Sequence, residues 1–125
     1  MIEGVVNANY EAVITLPLLG PAGQTREVEA VIDTGYNGTL TLPPDLVAAL
    51  ALPLVGPSQA TLANGVVETF NVHDATVLWG GMPRDIEADA VGPAPLAGML
   101  LLDRHSLFVE VTDGGRVSIQ PSQGP

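Results

Sequence analysis

Ala30-Val31-Ile32-Asp33-Thr34-Gly35-Tyr36-Asn37-Gly38-Thr39-Leu40-Thr41-Leu42-Pro43 is the stretch on which the reading of this chain turns. Its apolar, β-branched opening reads as the end of a strand, so the aspartate that follows stands at the edge of a core. Burial costs a carboxylate its charge unless it is paired, hydrogen-bonded or protonated. Thr34 offers a hydroxyl to backbone or carboxylate, and Gly35 admits a close backbone approach and a positive φ. Taken alone, Asp-Thr-Gly is also good turn chemistry after any strand. Residues 39–42 read as a short further strand closed by Pro43-Pro44.

Working outward, residues 10–18 are apolar and β-branched, with Ala12, Ile14 and Leu16 on one face. A turn at Gly20-Pro21-Ala22-Gly23 leads into residues 25–32, where Val28, Ala30 and Ile32 alternate with Glu27 and Glu29. The two runs predict a hairpin. Pro44 suits the first turn of a helix, and Leu46, Val47, Ala49 and Leu50 give residues 44–51 one apolar face. Asn64-Gly65, between 61–63 and a returning run at 66–72, best fits a type I′ turn. Residues 75–79 and 84–91 flank a turn at Gly80-Gly81. Residues 96–104 begin apolar and contain a helical turn, and 107–111 and 117–119 close the pattern around Asp113-Gly114-Gly115. About eight or more short strands with one or two short helices predict an all-β antiparallel barrel or sandwich.

The chain has 125 residues, enough for one core and not two, so a single domain over residues 1–125 is expected. Hydrophobic residues make up 46% and charged residues 14%, which supplies apolar surface to bury and excludes disorder. With no cysteine, a disulfide scaffold, a zinc ribbon and a cysteine nucleophile are all excluded. Fourteen acids against four arginines and no lysine leave a net charge of −10. Nucleic acid needs a cluster of cations, and an anionic membrane surface would repel this chain. No run is long enough to span a bilayer and no basic leader is visible, so a cytoplasmic, bacterium-like setting is expected.

Val31-Ile32-Asp33-Thr34-Gly35, the later Leu96-Ala97-Gly98 and the Asn64-Gly65 hairpin between them resemble the retropepsin-like aspartic proteases. The likeness is greatest to the small bacterial single-domain members, which share the stretch from Asp33 to Pro43. They also share an ending like Gly98-Met99-Leu100-Leu101-Leu102, then His105, Leu107 and residues 114–119. The resemblance runs from about Tyr10 to Ile119. It implies a retropepsin-like closed β-barrel with one lobe per chain, acting as a homodimer. Asp33 would be the catalytic carboxylate, Thr34 would join the two active-site loops across the dimer, and Gly35 would admit the substrate backbone. Asn64, Gly65 and Val66 would form a mobile flap over the substrate. Leu96, Ala97 and Gly98 would thread beside the catalytic loop. Tyr36 and Asn37 stand where retroviral members have an alanine and an acid, and Met99 stands where they have an arginine. The arginine–acid brace of the retroviral dimer is therefore missing.

One such loop per chain matters, because the chemistry needs two carboxylates sharing one proton. The expected interface includes the Asp33–Gly35 loop and the chain termini. The expected substrate is an extended peptide or protein, pairing its backbone with flap and floor strands. No metal or organic cofactor is required. Two other readings stay open at this stage: the same fold kept as a non-catalytic peptide-binding or dimerisation module, and a monomeric barrel without a dyad.

Other motifs carry less. Asp103, His105 and Ser106 include triad residue types, but close neighbours in sequence rarely converge on one point. His73-Asp74 reads as a solvated strand edge or turn. Asp85, Glu87 and Asp89 read as the solvent face of a strand, with a weak calcium site as the sharper alternative. Asn37-Gly38-Thr39 fits the N-glycosylation pattern without a secretory signal to use it. Trp79 reads as a core or interface anchor.

Overall fold

Alternation along residues 25–32 decides which side packs: Val28 and Ala30 are buried, while Glu27 and Glu29 are exposed. The computed structural model describes residues 1–123. Among them the elements run β1 (Ile2–Val6), β2 (Ala12–Leu19), β3 (Thr25–Ile32), β4 (Leu40–Leu42), α1 (Pro44–Ala49) and β5 (Leu54–Thr61). They continue with β6 (Val67–Trp79), β7 (Met82–Ala90), β8 (Leu96–Ala97), β9 (His105–Val109) and β10 (Arg116–Pro121).

All ten strands belong to one sheet in the order β5-β6-β7-β4-β8-β3-β2-β1-β10-β9. A further pairing of β2 with β6 bends β6-β7-β4-β8-β3-β2 into a closed ring. Each ring strand sends side chains inward: Leu16 and Leu18 from β2, Ala30 from β3, Leu40 and Leu42 from β4, Val77 from β6, Ala88 from β7 and Ala97 from β8. Burying one leucine side chain contributes about 1.5–3 kcal/mol, so these inward rows hold the ring shut. The helix is six residues long and rests on packing rather than propensity. Pro44 occupies its first turn with Asp45 beside the positive dipole end, and Val47 and Leu50 are buried against the core.

The path of the chain between β3 and β4 positions the site. β8 runs parallel to β3 (Val31 opposite Leu96, Ile32 opposite Ala97) and antiparallel to β4 (Leu40 opposite Ala97). β3 and β4 are consecutive in sequence, yet β8 lies between them. The connection 33–39 must therefore arch over the end of β8, where Gly98 follows.

Several local readings change. Residues 2–6, to which the sequence reading assigns no strand, form β1 between β2 and β10. Runs 66–72 and 75–79 are one strand, β6, because His73 and Asp74 stay within the ladder opposite Ala88 and Glu87. Asn64-Gly65 is not a type I′ turn, which needs positive φ at both residues. Gly65 has φ 82° and Asn64 is not positive, while Leu62 N–H donates to Val66 O at 2.8 Å, so the loop is three residues long. Two-residue geometry belongs instead to Gly80-Gly81, with φ 61° and 85° between paired Trp79 and Met82. The helical turn expected within 96–104 is a run of tight turns, with Leu101 N–H donating to Gly98 O and Leu102 N–H to Met99 O.

Candidate active site

Asp33 follows the last residue of β3 and is half-buried, while Thr34 and Gly35 are exposed. Its backbone N–H donates to Ala97 O at 2.9 Å and its carbonyl accepts Tyr36 N–H at 3.1 Å. Its carboxylate Oδ1 accepts Gly35 N–H at 2.9 Å, the Asx geometry that a short acid adopts at a turn. The side chain is thus aimed by its own loop, and the loop is tied to β8.

The other side of this contact is Leu96-Ala97-Gly98. Gly98 N–H donates to Thr39 O at 2.9 Å, Met99 N–H to Tyr36 O at 2.8 Å and Leu100 N–H to Gly38 O at 3.0 Å. Three consecutive amides therefore stitch the turn after β8 to the arch above it. Such closeness requires glycine: a Cβ on Gly98 would collide with the Gly38 carbonyl oxygen. Thr41 completes the seam, its hydroxyl accepting Leu96 N–H at 2.9 Å.

Asn64, Gly65 and Val66 sit at the exposed tip of the β5–β6 hairpin. The Asn64 carboxamide oxygen accepts Val66 N–H at 3.0 Å, and Gly65 N–H donates to Leu62 O at 2.9 Å. β6 pairs with β7 from Asn71 onward, so before that point the hairpin strands pair only with each other among the described residues. The structure therefore brings Asp33–Gly35 and Leu96–Gly98 together, and no hydrogen bond among the described residues joins the hairpin tip to them.

Residues that the sequence reading placed elsewhere matter here. Asp89 is not on a solvated face: it accepts the Tyr36 hydroxyl at 2.6 Å through Oδ2. Burial first, then the bond to Asp89 and its charge, push the Tyr36 hydroxyl well above the usual phenol range. Asp85 and Glu87 are exposed, and the described residues contain no cluster of three or more acidic or histidine side chains fit to hold a metal ion. Arg84, singled out by no motif, donates to Leu101 O at 2.9 Å and lies over the Trp79 ring at 5.4 Å.

The two histidines have structural partners. His73, expected at a solvated edge, is half-buried with Nδ1 2.9 Å from Leu52 O. His105 Nε2 accepts Trp79 Nε1–H at 3.1 Å, and its Nδ1 lies 2.8 Å from Asp103 O. Both contacts are met when Nδ1 carries the proton. Asp103 thus offers its carbonyl rather than its carboxylate, and no triad forms with Ser106.

The fold is the all-β ring of the retropepsin-like aspartic proteases. The chain superimposes on the crystal structure of a retropepsin-like aspartic protease from Rickettsia conorii with a TM-score of 0.62, covering 97% of this chain and 91% of that one at 15% identity. No protein-family model matches the sequence, and no curated protein matches it. No helix among the described residues is long and apolar enough to cross a membrane.

Proposed function

We propose that the chain is a single-domain half of an aspartic endopeptidase, a homodimer in which Asp33 of each copy meets its symmetry mate. The observation that carries this reading is the setting of Asp33, with its carboxylate aimed by Gly35 N–H and its loop tied to Ala97 in a retropepsin-like fold. Each chain supplies one such carboxylate, and two like charges about 3 Å apart do not both ionise, so the pair would share a proton. The ionised partner takes a proton from a bound water as the water oxygen attacks the peptide carbonyl. The protonated partner donates to the carbonyl oxygen. Breakdown of the tetrahedral intermediate then returns a proton to the leaving amine.

Thr34, exposed beside Asp33, would reach across to the second loop. Met99 and Leu100, 46% and 55% exposed beside the arch, offer apolar surface that a second copy or substrate would cover. An extended peptide would lie between the loop and the β5–β6 hairpin, with Asn64, Gly65 and Val66 as the cover. The pair needs no cofactor, and a cytoplasmic location is part of the reading. One observation favours the alternative of a monomeric barrel without a dyad over either dimeric reading. Gly4 and Val5 pair with β2 as well as β10, and Val117–Ile119 lie between β1 and β9, so the terminal strands offer little free edge to a second copy.

Sedimentation across the micromolar range, run beside cleavage of labelled casein by wild type and Asp33→Asn, tests the proposal. A dimer with Asp33-dependent cleavage is expected. A monomer at every concentration, with no such cleavage, would reject it.

A further inference from the structure

Tyr36 lays its ring over two glycines. A Cβ on Gly38 would run into the ring and hydroxyl, and one on Gly98 would meet Cδ2 at 2.6 Å. Its N–H donates to Asp33 O and its carbonyl accepts Met99 N–H. Its hydroxyl reaches Asp89, which is itself held on both sides, opposite Thr41 of β4 and Val72 of β6. One residue further, Ala90 opposite Asn71 is the last pair before β6 leaves β7 and continues as the hairpin with β5. A single phenol therefore connects the Asp33 loop, the turn after β8 and the root of the hairpin. Because burial and Asp89 hold the hydroxyl protonated, it stays a donor over the whole range in which carboxylates titrate.

We propose that Tyr36 is a positioning residue for the reaction at Asp33, its tether to Asp89 setting the Asp33 loop against the root of the hairpin that covers the substrate. This rests on the protease reading above. Tyr36 acts through the loop rather than on the substrate. Without the tether, residues 33–39 lose their link to β7 and hold to β8 and the turn after it by amide bonds alone, which then open more often, so the carboxylate can drift without unfolding the ring. A misplacement of about 1 Å in a catalytic group costs on the order of a hundredfold in rate.

Three variants separate positioning from mere packing. Tyr36→Phe keeps the ring over the glycines and deletes the bond. Asp89→Ala deletes the acceptor, and Asp89→Asn keeps an acceptor oxygen. With a quenched peptide carrying a casein cleavage site, Tyr36→Phe and Asp89→Ala should lower kcat about tenfold with KM within about twofold, and Asp89→Asn should stay within about threefold of wild type. Wild-type kcat in Tyr36→Phe, or Asp89→Asn as impaired as Asp89→Ala, overturns the proposal. Amide exchange at Gly98, Met99 and Leu100 supplies a readout that needs no cleavage. It should quicken about tenfold in Tyr36→Phe and Asp89→Ala and stay near wild type in Asp89→Asn. Equal protection in all four proteins overturns the tether while leaving the protease standing. Absence of Asp33-dependent cleavage in wild type overturns the protease reading and with it the catalytic part of this proposal.

Discussion

Gly98 sets its bare α-carbon against the carbonyl oxygen of Gly38, beneath the arch that carries Asp33. Backbone is the obstacle there, not the end of a flexible side chain. Gly98→Ala should therefore destabilise the fold by about 1–3 kcal/mol, the cost of overpacking a tight site. Urea denaturation checks this through a lower midpoint at unchanged slope. An unchanged midpoint would mean that the arch does not rest on β8 as described.

Tyr36 makes stability depend on alkaline pH. A tyrosine in the unfolded chain loses its proton near pH 10, whereas folded Tyr36 holds it to higher pH, because it is buried and bonded to Asp89. Below pH 10 both states are protonated and the contribution is complete. Above it the unfolded chain binds fewer protons than the folded one, so stability falls as pH rises. Tyr36→Phe lacks this loss, and its stability should decline less steeply between about pH 10 and 12. Denaturant midpoints of the two proteins across that range provide the check.

Asp33→Asn should abolish cleavage of labelled casein while leaving the far-ultraviolet spectrum and the sedimentation coefficient unchanged. The amide has nearly the shape of the carboxyl group and can still accept Gly35 N–H, but it cannot take a proton from water. Stability should equal or exceed that of wild type, since the proposed dimer would no longer bring two ionisable carboxyl groups face to face. Cleavage at the wild-type rate would assign the activity to another group.

The proposed dyad would also shape the pH dependence. Activity needs the singly protonated pair, so the rate should follow a bell with its maximum below neutrality. Association should change in the same direction. Each chain carries −10 at pH 7, and lowering the pH toward the sequence pI of about 4.1 removes the repulsion between copies. The proposed dimer should tighten over that interval, read by sedimentation beside the cleavage assay. Hydrolysis that rises steadily to about pH 8 would contradict the shared proton.

Strands with strict alternation were open to reading from sequence. β3 spans residues 25–32, as its glutamates and valines imply, and α1 starts at Pro44. The turn at Asp33-Thr34-Gly35 was legible as turn chemistry after an apolar run, while only the resemblance to a known family singled it out as a site. What alternation does not encode was lost. β1 turns Ile2, Gly4 and Val6 inward and Glu3 and Val5 outward, but with a glycine in the middle only two apolar side chains mark that face. β6 looks broken at His73-Asp74, because a polar pair in a row reads as a turn, whereas Leu52 O and Pro53 O supply those residues with partners from the preceding segment. Tyr36 and Asp89 are 53 positions apart, and neither has a local pattern that points to the other. Asp89 shares the alternation of exposed Asp85 and Glu87, so its different environment comes only from the chain passing over it.

The ring closes on two residue pairs, Leu18 with Val77 and Leu19 with Thr76. Every other junction in it lies between β6, β7, β4, β8, β3 and β2 in turn, and the arch over β8 stands midway round from this closure. The junctions of β8 with β3 and with β4 hold two pairs each as well, so the ring has three thin seams and two of them flank the carboxylate. There the amides of Asp33, Gly98, Met99 and Leu100 add bonds that such short ladders do not supply. The chain thus braces with loops the part of its wall where the sheet itself is thinnest.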